Sequence, residues 1–162
     1  MEINRDAPVV LRHQIAVFAP PKQVWERIAQ VEYWANWHPD IGKAEWTDDE
    51  PMDRRGFSFG VKMFRFNARL WIYDEPLVIG WEGRHMFSHH RQLFRLDGDY
   101  RETVITSESS YEGPIVAMMP DRLREPLDRF GQTWLAAIKT NIESAPENNV
   151  RLPGTRRPRT RR

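Results

Sequence analysis

The chain reads as an α+β protein: an antiparallel sheet of about six to seven strands, two short helices after the first strand, and one long C-terminal helix. Three observations predict this. Residues 54 to 112 divide into strand-like segments separated by turn chemistry at Gly60, Asp74-Glu75-Pro76 and Asp97-Gly98-Asp99. Leu123, Leu127, Phe130, Trp134, Ile138 and Ile142 recur at steps of three or four, which draws one apolar stripe along a long helix. A length of 162 residues suffices for one domain with a real core and falls short of two ordinary ones.

The elements follow in order. Val9, Leu11, His13, Ile15 and Val17 alternate along a first strand over 9 to 18, which Pro20-Pro21 stops. The prolines then open a helix over 22 to 30, since a missing N–H is harmless in a first turn, and Val24, Trp25 and Ile28 sit at helical spacing. Val31, Trp34 and Ala35 extend the pattern into a second short helix over 31 to 37. Pro39 ends it by biasing His38 away from the helical region, and 41 to 47 returns as a strand. Trp34 and Trp37 read as packing at this corner and His38 as an exposed turn residue.

Further strands are expected at about 54 to 60, 63 to 74, 77 to 84, 86 to 96 and 102 to 112. In the longest, Phe64, Phe66, Ala68, Leu70 and Ile72 alternate with Arg65, Asn67, Arg69, Trp71 and Tyr73, giving a dry face and a wet face. The long helix spans 120 to 142, and Pro126 predicts a bend or break that leaves 126 to 143 as its regular part. A sheet with one dry face needs a cover, and only this helix is long enough to supply it. A curved sheet around one helix leaves a hollow in which a ligand would sit.

Seven Trp and eight Phe are many for this length, so the interior is expected to be aromatic. The absence of cysteine excludes disulfides, thiolate catalysis and cysteine zinc sites. No run approaches a membrane span and residues 1 to 8 carry no apolar leader core, so a cytoplasmic location is expected. Residues 147 to 162 hold six Arg against Glu147, a balance of +5, which leaves −4 on residues 1 to 146 of a chain with net charge +1. The organisation is thus an arm at 1 to 8, a domain at 9 to 143 and an Arg-rich tail at 144 to 162. The tail lacks the apolar residues to offset its ordering entropy. It is expected to be disordered, and its charge suits nucleic acid or anionic lipid.

His85, His89 and His90 raise the question of a metal, but no third ligand accompanies them and adjacent His89 and His90 point to opposite faces of a strand, so no metal is assigned. His90 and Gln92 share parity with Phe94 and Leu96, which puts two polar groups on an apolar wall. Either they bond to each other, to backbone or to water, or they orient a ligand's oxygen. Phe59, Phe66, Leu70 and Trp81 form the rest of that wall, facing Leu123, Leu127, Phe130 and Trp134 on the helix. Alternation places Arg69 on the outer, solvated face. No nucleophile elbow, phosphate loop or carboxylate pair appears, and no cofactor is implied.

Five segments in this order also resemble a known superfamily. They are Ala19-Pro20-Pro21-Lys22-Gln23-Val24-Trp25, Trp34-Ala35-Asn36-Trp37-His38-Pro39, Asp74 to Gly83, His90 to Leu96, and Thr103-Val104-Ile105-Thr106 leading to Tyr111-Glu112-Gly113-Pro114. Over residues 9 to 143 the chain resembles the START-like or SRPBCC helix-grip proteins, which include polyketide cyclases and lipid-transfer proteins. The resemblance implies a monomer or homodimer that binds or carries a small hydrophobic or amphipathic ligand between sheet and helix, with Tyr111 added to the wall. It allows an alternative, an aromatase or cyclase using His90 or Arg69, the latter matched to a cavity arginine of the superfamily's aromatase-cyclases. A third reading is an interaction module acting through the basic tail. One departure concerns the acidic residue that the family often places four before the glycine matching Gly113: here that position is Ser109, with Glu108 beside it.

Overall fold

The computed structural model describes residues 2–48 and 55–144. Seven strands form one antiparallel sheet: β1 (Val9–Val17), β2 (Ile41–Trp46), β3 (Gly56–Val61), β4 (Phe64–Asp74), β5 (Val78–His85), β6 (Ser88–Gly98) and β7 (Thr103–Glu112). The order β1-β7-β6-β5-β4-β3-β2 is a meander whose two edge strands are the first two in the chain. Between them run α1 (Pro21–Ala29), a 3-10 turn at Val31–Tyr33 and α2 (Trp34–Trp37). A short α3 (Pro114–Met118) leads from β7 into α4 (Pro120–Glu143), which lies over the inner face of the curved sheet and packs mainly against β1.

Residues 17 to 19, α1, the α2 corner, the inner sheet face and α4 share one core. Trp34 stands at its centre, fully buried, with the rings of Phe57, Phe59, Trp81 and Trp134 at 4.9 to 5.7 Å. Its Nε1–H donates to the Ile28 carbonyl at 3.0 Å, so burying the indole leaves no donor unpaired. A second, smaller cluster joins Val9, Leu11 and Val116 to Tyr111, Leu123 and Leu127.

Several expectations are corrected. Ile72 does not continue the dry face of β4. A register shift between Leu70 and Ile72 inserts one residue, after which parity reverses. Ile72 then pairs with Gly80 on the outer side, while Tyr73 faces inward with its ring 5.0 Å from Trp25. His38 is not exposed: it retains 2% accessibility. Pro39 does hold it extended, at φ −92° and ψ 121°, but that geometry turns the ring inward against Trp134, at 4.7 Å between centroids. α4 runs through Pro126 without a break. Pro126 lies in an early, exposed turn, where the lost hydrogen bond opens to water. α3 is an addition that the apolar pattern did not announce.

The arm at residues 2–8 lies across the outer face of the sheet. Asn4 donates from its backbone to Ser110 Oγ at 3.1 Å and from Nδ2 to Glu112 at 2.7 Å, Arg5 meets Glu108 at 3.3 Å, and Ile3 is buried. The expected tail lies outside the described residues from 145 onward.

Candidate functional site

The polar groups of the inner face form a band across three strands. Pairing sets Gly83, His90, Tyr111 and Val9 in one row, Trp81, Gln92, Ser109 and Leu11 in the next, and Phe94, Ser107 and His13 beyond them. Each of these residues lies two along its strand from the last, so all share one face. The helix above contributes Leu123, Leu127 and Phe130, all partly buried against the two clusters.

His90 is held by shape. Its imidazole lies near-parallel to the Tyr111 ring, 6.0 Å away at 21°, with Phe66 and Phe59 edge-on at 5.8 and 6.3 Å. Glycine at 83 makes room for it, because a Cβ there would collide with His90 Cε1. Neither ring nitrogen of His90 has a hydrogen-bond partner among the described residues. Burial pulls its pKa from the ordinary 6.5 to about 4, with His89 adding repulsion, so the imidazole is neutral near pH 7. Burial likewise pushes the Tyr111 phenol up, opposed by a hydrogen bond with Ser109. Both rings are deep yet unsealed, each keeping some accessible surface.

Gln92 is engaged otherwise. Its Nε2 donates to Ser107 Oγ at 2.8 Å and lies 3.3 Å from the Glu108 carbonyl, which joins β6 to β7 and leaves His90 free. His13, one strand further, meets Asp128 of α4 through Nε2 at 2.7 Å, and Gly131 allows the helix to pass over the ring. This His–Asp contact ties α4 to the sheet edge. Spacing did not find it, since the partners are 115 residues apart.

The structure divides the expected wall in two. Phe59, Leu70, Trp81 and Trp134 are buried in the core, while Phe66, His90, Gln92, Tyr111, Leu123, Leu127 and Phe130 keep partial accessibility. Arg69 stands apart from both sets: it is exposed on the outer face, in register with Glu82 of the neighbouring β5. Glu108 also faces outward, between Arg5 and Arg95, while Ser109 faces the interior. His85 donates its Nδ1–H to the Arg65 carbonyl at 2.9 Å, and His89 lies between Glu112 at 2.9 Å and Glu82 at 3.3 Å on the outer face. No group of three His, Asp or Glu among the described residues is arranged to hold a metal. No helix among them is long and apolar enough to cross a membrane.

The accessible end of the wall opens toward one rim of the sheet. The β3–β4 turn there exposes Met63 and Phe64, the β5–β6 turn exposes Met86 and Phe87, and α3 exposes Ile115 and Met118. A separate groove of about 800 Å³ lies between the α1–α2 corner and α4, lined by Arg27, Asn36, Trp37, Thr133, Ala137 and Asn141. It is open to solvent and includes none of the wall residues above, so it offers none of their unpaired polar atoms to a ligand.

The comparisons agree with this architecture. The START superfamily protein from Mycobacterium smegmatis is 13% identical, with a TM-score of 0.75 over 85% of this chain and 99% of that one. The Zhui aromatase/cyclase from Streptomyces sp. R1128 is 21% identical, with a TM-score of 0.66 over 83% and 93%. The di-domain ARO/CYC BexL of the BE-7585A biosynthetic pathway is 17% identical, with a TM-score of 0.67 over 85% of this chain and 48% of that one. At these identities the likeness shows the fold alone. No curated protein sequence matches. Residues 8–143 match the family model described as polyketide cyclase / dehydrase and lipid transport, and the chain belongs to that family.

Proposed function

We propose that this protein binds a small hydrophobic or amphipathic molecule, lipid or polyketide-like, between the inner sheet face and α4. One observation carries the reading: His90 is a neutral imidazole with no hydrogen-bond partner among the described residues, set on an aromatic wall and keeping some accessible surface. A polar group that keeps some accessible surface on an apolar wall is met by water when the site is empty and can be met by a polar group of a ligand when it is filled. Phe66, Tyr111, Leu123, Leu127 and Phe130 would surround the apolar part, and the exposed rim of Met63, Phe64, Met86 and Phe87 would be the entrance. Covering about 300 Å² of apolar surface would gain roughly 7 kcal/mol before ordering costs, so micromolar affinity would need a larger buried area or polar contacts as well.

The test is a titration with dodecanoate, 2-ethylnaphthalene and 2-acetonaphthone, followed by tryptophan fluorescence. Saturable quenching that weakens in Phe130→Trp, where the larger ring fills the space, is the expected result. No saturable response to any of the three would sink the proposal.

A second reading, an aromatase or cyclase, draws on the family and on the names of two structural neighbours. His90 and Tyr111 would then be the groups that hold or move a proton, since they are adjacent titratable side chains on the inner wall. Arg69 would have no part in it from the outer face. If His90→Phe and Tyr111→Phe leave the product pattern of a poly-β-ketone chain unchanged, that reading fails.

A further inference from the structure

The interior has a second polar position, and it is short of acceptors. His38 retains 2% accessibility, and its ring neighbours are Trp134 at 4.7 Å, Phe130 at 5.5 Å and Trp37 at 5.9 Å. None of these touches His90, whose neighbours are Phe59, Phe66 and Tyr111. Nδ1 of His38 accepts the backbone N–H of Asp40 at 3.1 Å. In a neutral ring that fixes the proton on Nε2. This Nε2–H meets no acceptor among the described residues, and the Nε1–H of Trp37 beside it is also buried and unbonded. Two donors without acceptors around one indole is unusual, since native interiors pair nearly all such groups.

Packing alone does not require a histidine at this position. A phenylalanine would fill the same aromatic cage without a donor to satisfy, and the Asp40 N–H lies near enough to the surface to be hydrated. Partial accessibility of Phe130 offers a way in: this ring, 5.5 Å from His38 between centroids, is not sealed, so one side of the cage is open to exchange. Chemistry selects what could arrive. The cage is aromatic, and among the described residues the carboxylate closest in sequence, Asp40, is the only charged group that perturbs His38. An anionic oxygen would be desolvated there without a counter-charge. An uncharged acceptor would not.

We propose that His38 is a ligand-binding residue whose Nε2–H donates to an uncharged carbonyl oxygen, a ketone or ester, of a hydrophobic ligand lying against Phe130 and Trp134. This rests on the interior-ligand reading above and adds a substrate class to it.

The experiment compares 2-acetonaphthone with 2-ethylnaphthalene, which share a shape and differ by one carbonyl oxygen, in wild type, His38→Phe and His38→Gln. The expected result is that His38→Phe shifts the affinity ratio of the pair about tenfold against the ketone, the amount one hydrogen bond is worth. His38→Gln, which keeps a donor where Nε2 stood, should hold most of the ratio. Imidazole ¹⁵N spectra of the wild type read the same contact without a substitution: the Nε2–H tautomer should be present in the free protein and its resonance should move on saturation with the ketone. An unchanged ratio in His38→Phe, an Nδ1–H tautomer, or an Nε2 resonance that stays still would overturn the assignment while leaving the interior site intact. If wild type binds neither probe, the interior site and the role of His38 fall together. A purely structural role for His38 would lower thermal stability in both variants and leave the ratio where it was.

Discussion

Around Trp34 three of the four rings meet it edge to face and Trp81 is tilted, the indole N–H is bonded, and nothing in the group exceeds 5% accessibility. Around His90 the rings stand farther off, at 5.8 to 6.3 Å, the imidazole nitrogens are unbonded among the described residues, and Phe66 and Tyr111 remain partly accessible. Both regions draw on the same sheet face and the same helix stripe. What separates them is the α2 corner, which delivers Trp34 and Trp37 over one end of the sheet and leaves the other covered only by α3 and the start of α4. One domain thus holds a packed end that supplies stability and a second end whose aromatic rings keep accessible surface.

The largest effect should come from breaking the packed end. Trp34→Ala removes the ring that four others contact, and should cost about 3–5 kcal/mol of unfolding free energy, read from urea midpoints at constant slope. Phe130→Ala at the open end should cost no more than about 2 kcal/mol, because the space it leaves is already in contact with water. Its signature should instead be a change in probe affinity. Equal destabilisation by the two would mean the ends are packed alike.

Gly83→Ala sharpens the contrast, because it acts through His90 alone. The added Cβ collides with the imidazole ring, so His90 must swing off the wall. The expected result is loss of affinity for 2-acetonaphthone and 2-ethylnaphthalene alike, with their ratio unchanged because the ketone oxygen is assigned to His38, and a stability loss of about 1–3 kcal/mol, the cost of an overpacked site. Retained affinity with the same stability loss would separate His90 from the site.

Acid should weaken both ends through their histidines. His38 and His90 have pKa values lowered from 6.5 to about 4, by burial in each case. Between those values the unfolded chain binds protons that the folded chain refuses, so stability falls as pH drops from about 6.5 toward 4, by at most on the order of 3 kcal/mol for each ring. His38→Phe and His90→Phe should each flatten that part of the profile. The carboxylates of Glu45, Glu112 and Glu143, held low by their hydrogen bonds, lose their contribution only in more acid solution. A drop between pH 6.5 and 4 that survives in both variants would assign it elsewhere.

The sequence made the sheet legible because its signals are local. Turn residues at 60, 74–76 and 97–99 fixed the strand ends to within about two residues, and the three-and-four spacing of α4 fixed the cover. What it could not carry was any event without a local marker. The β4 bulge adds one residue inside an unbroken apolar alternation, so Ile72 and Tyr73 exchange faces with no change of composition. The β5–β6 turn has no glycine and places Met86 at φ 48°, against the usual turn chemistry. Parity found His90 and Gln92 on the inner wall, because a two-residue period survives in a regular strand. It could not find His38, whose burial depends on which way one extended residue faces after α2, or the His13–Asp128 contact, which depends on how α4 crosses β1.

The smallest effect is the most diagnostic for Arg69. The residue lies opposite Gly56 on β3 and Glu82 on β5, exposed on the outer face, with the sheet between it and His90. An exposed arginine on a strand contributes a few tenths of a kcal/mol, and salt screens what charge effect it has. Arg69→Ala should therefore change stability by no more than about 0.5 kcal/mol and leave the affinities of both naphthalene probes where they were. Because backbone at 69 pairs on both sides, the variant keeps its strand and the comparison stays clean. A loss of ketone affinity in Arg69→Ala, with stability unchanged, would mean that the side chain reaches the ligand from the far side of the sheet. The division between a solvated outer face and an inner face proposed to hold the ligand would then fail at its most exposed point.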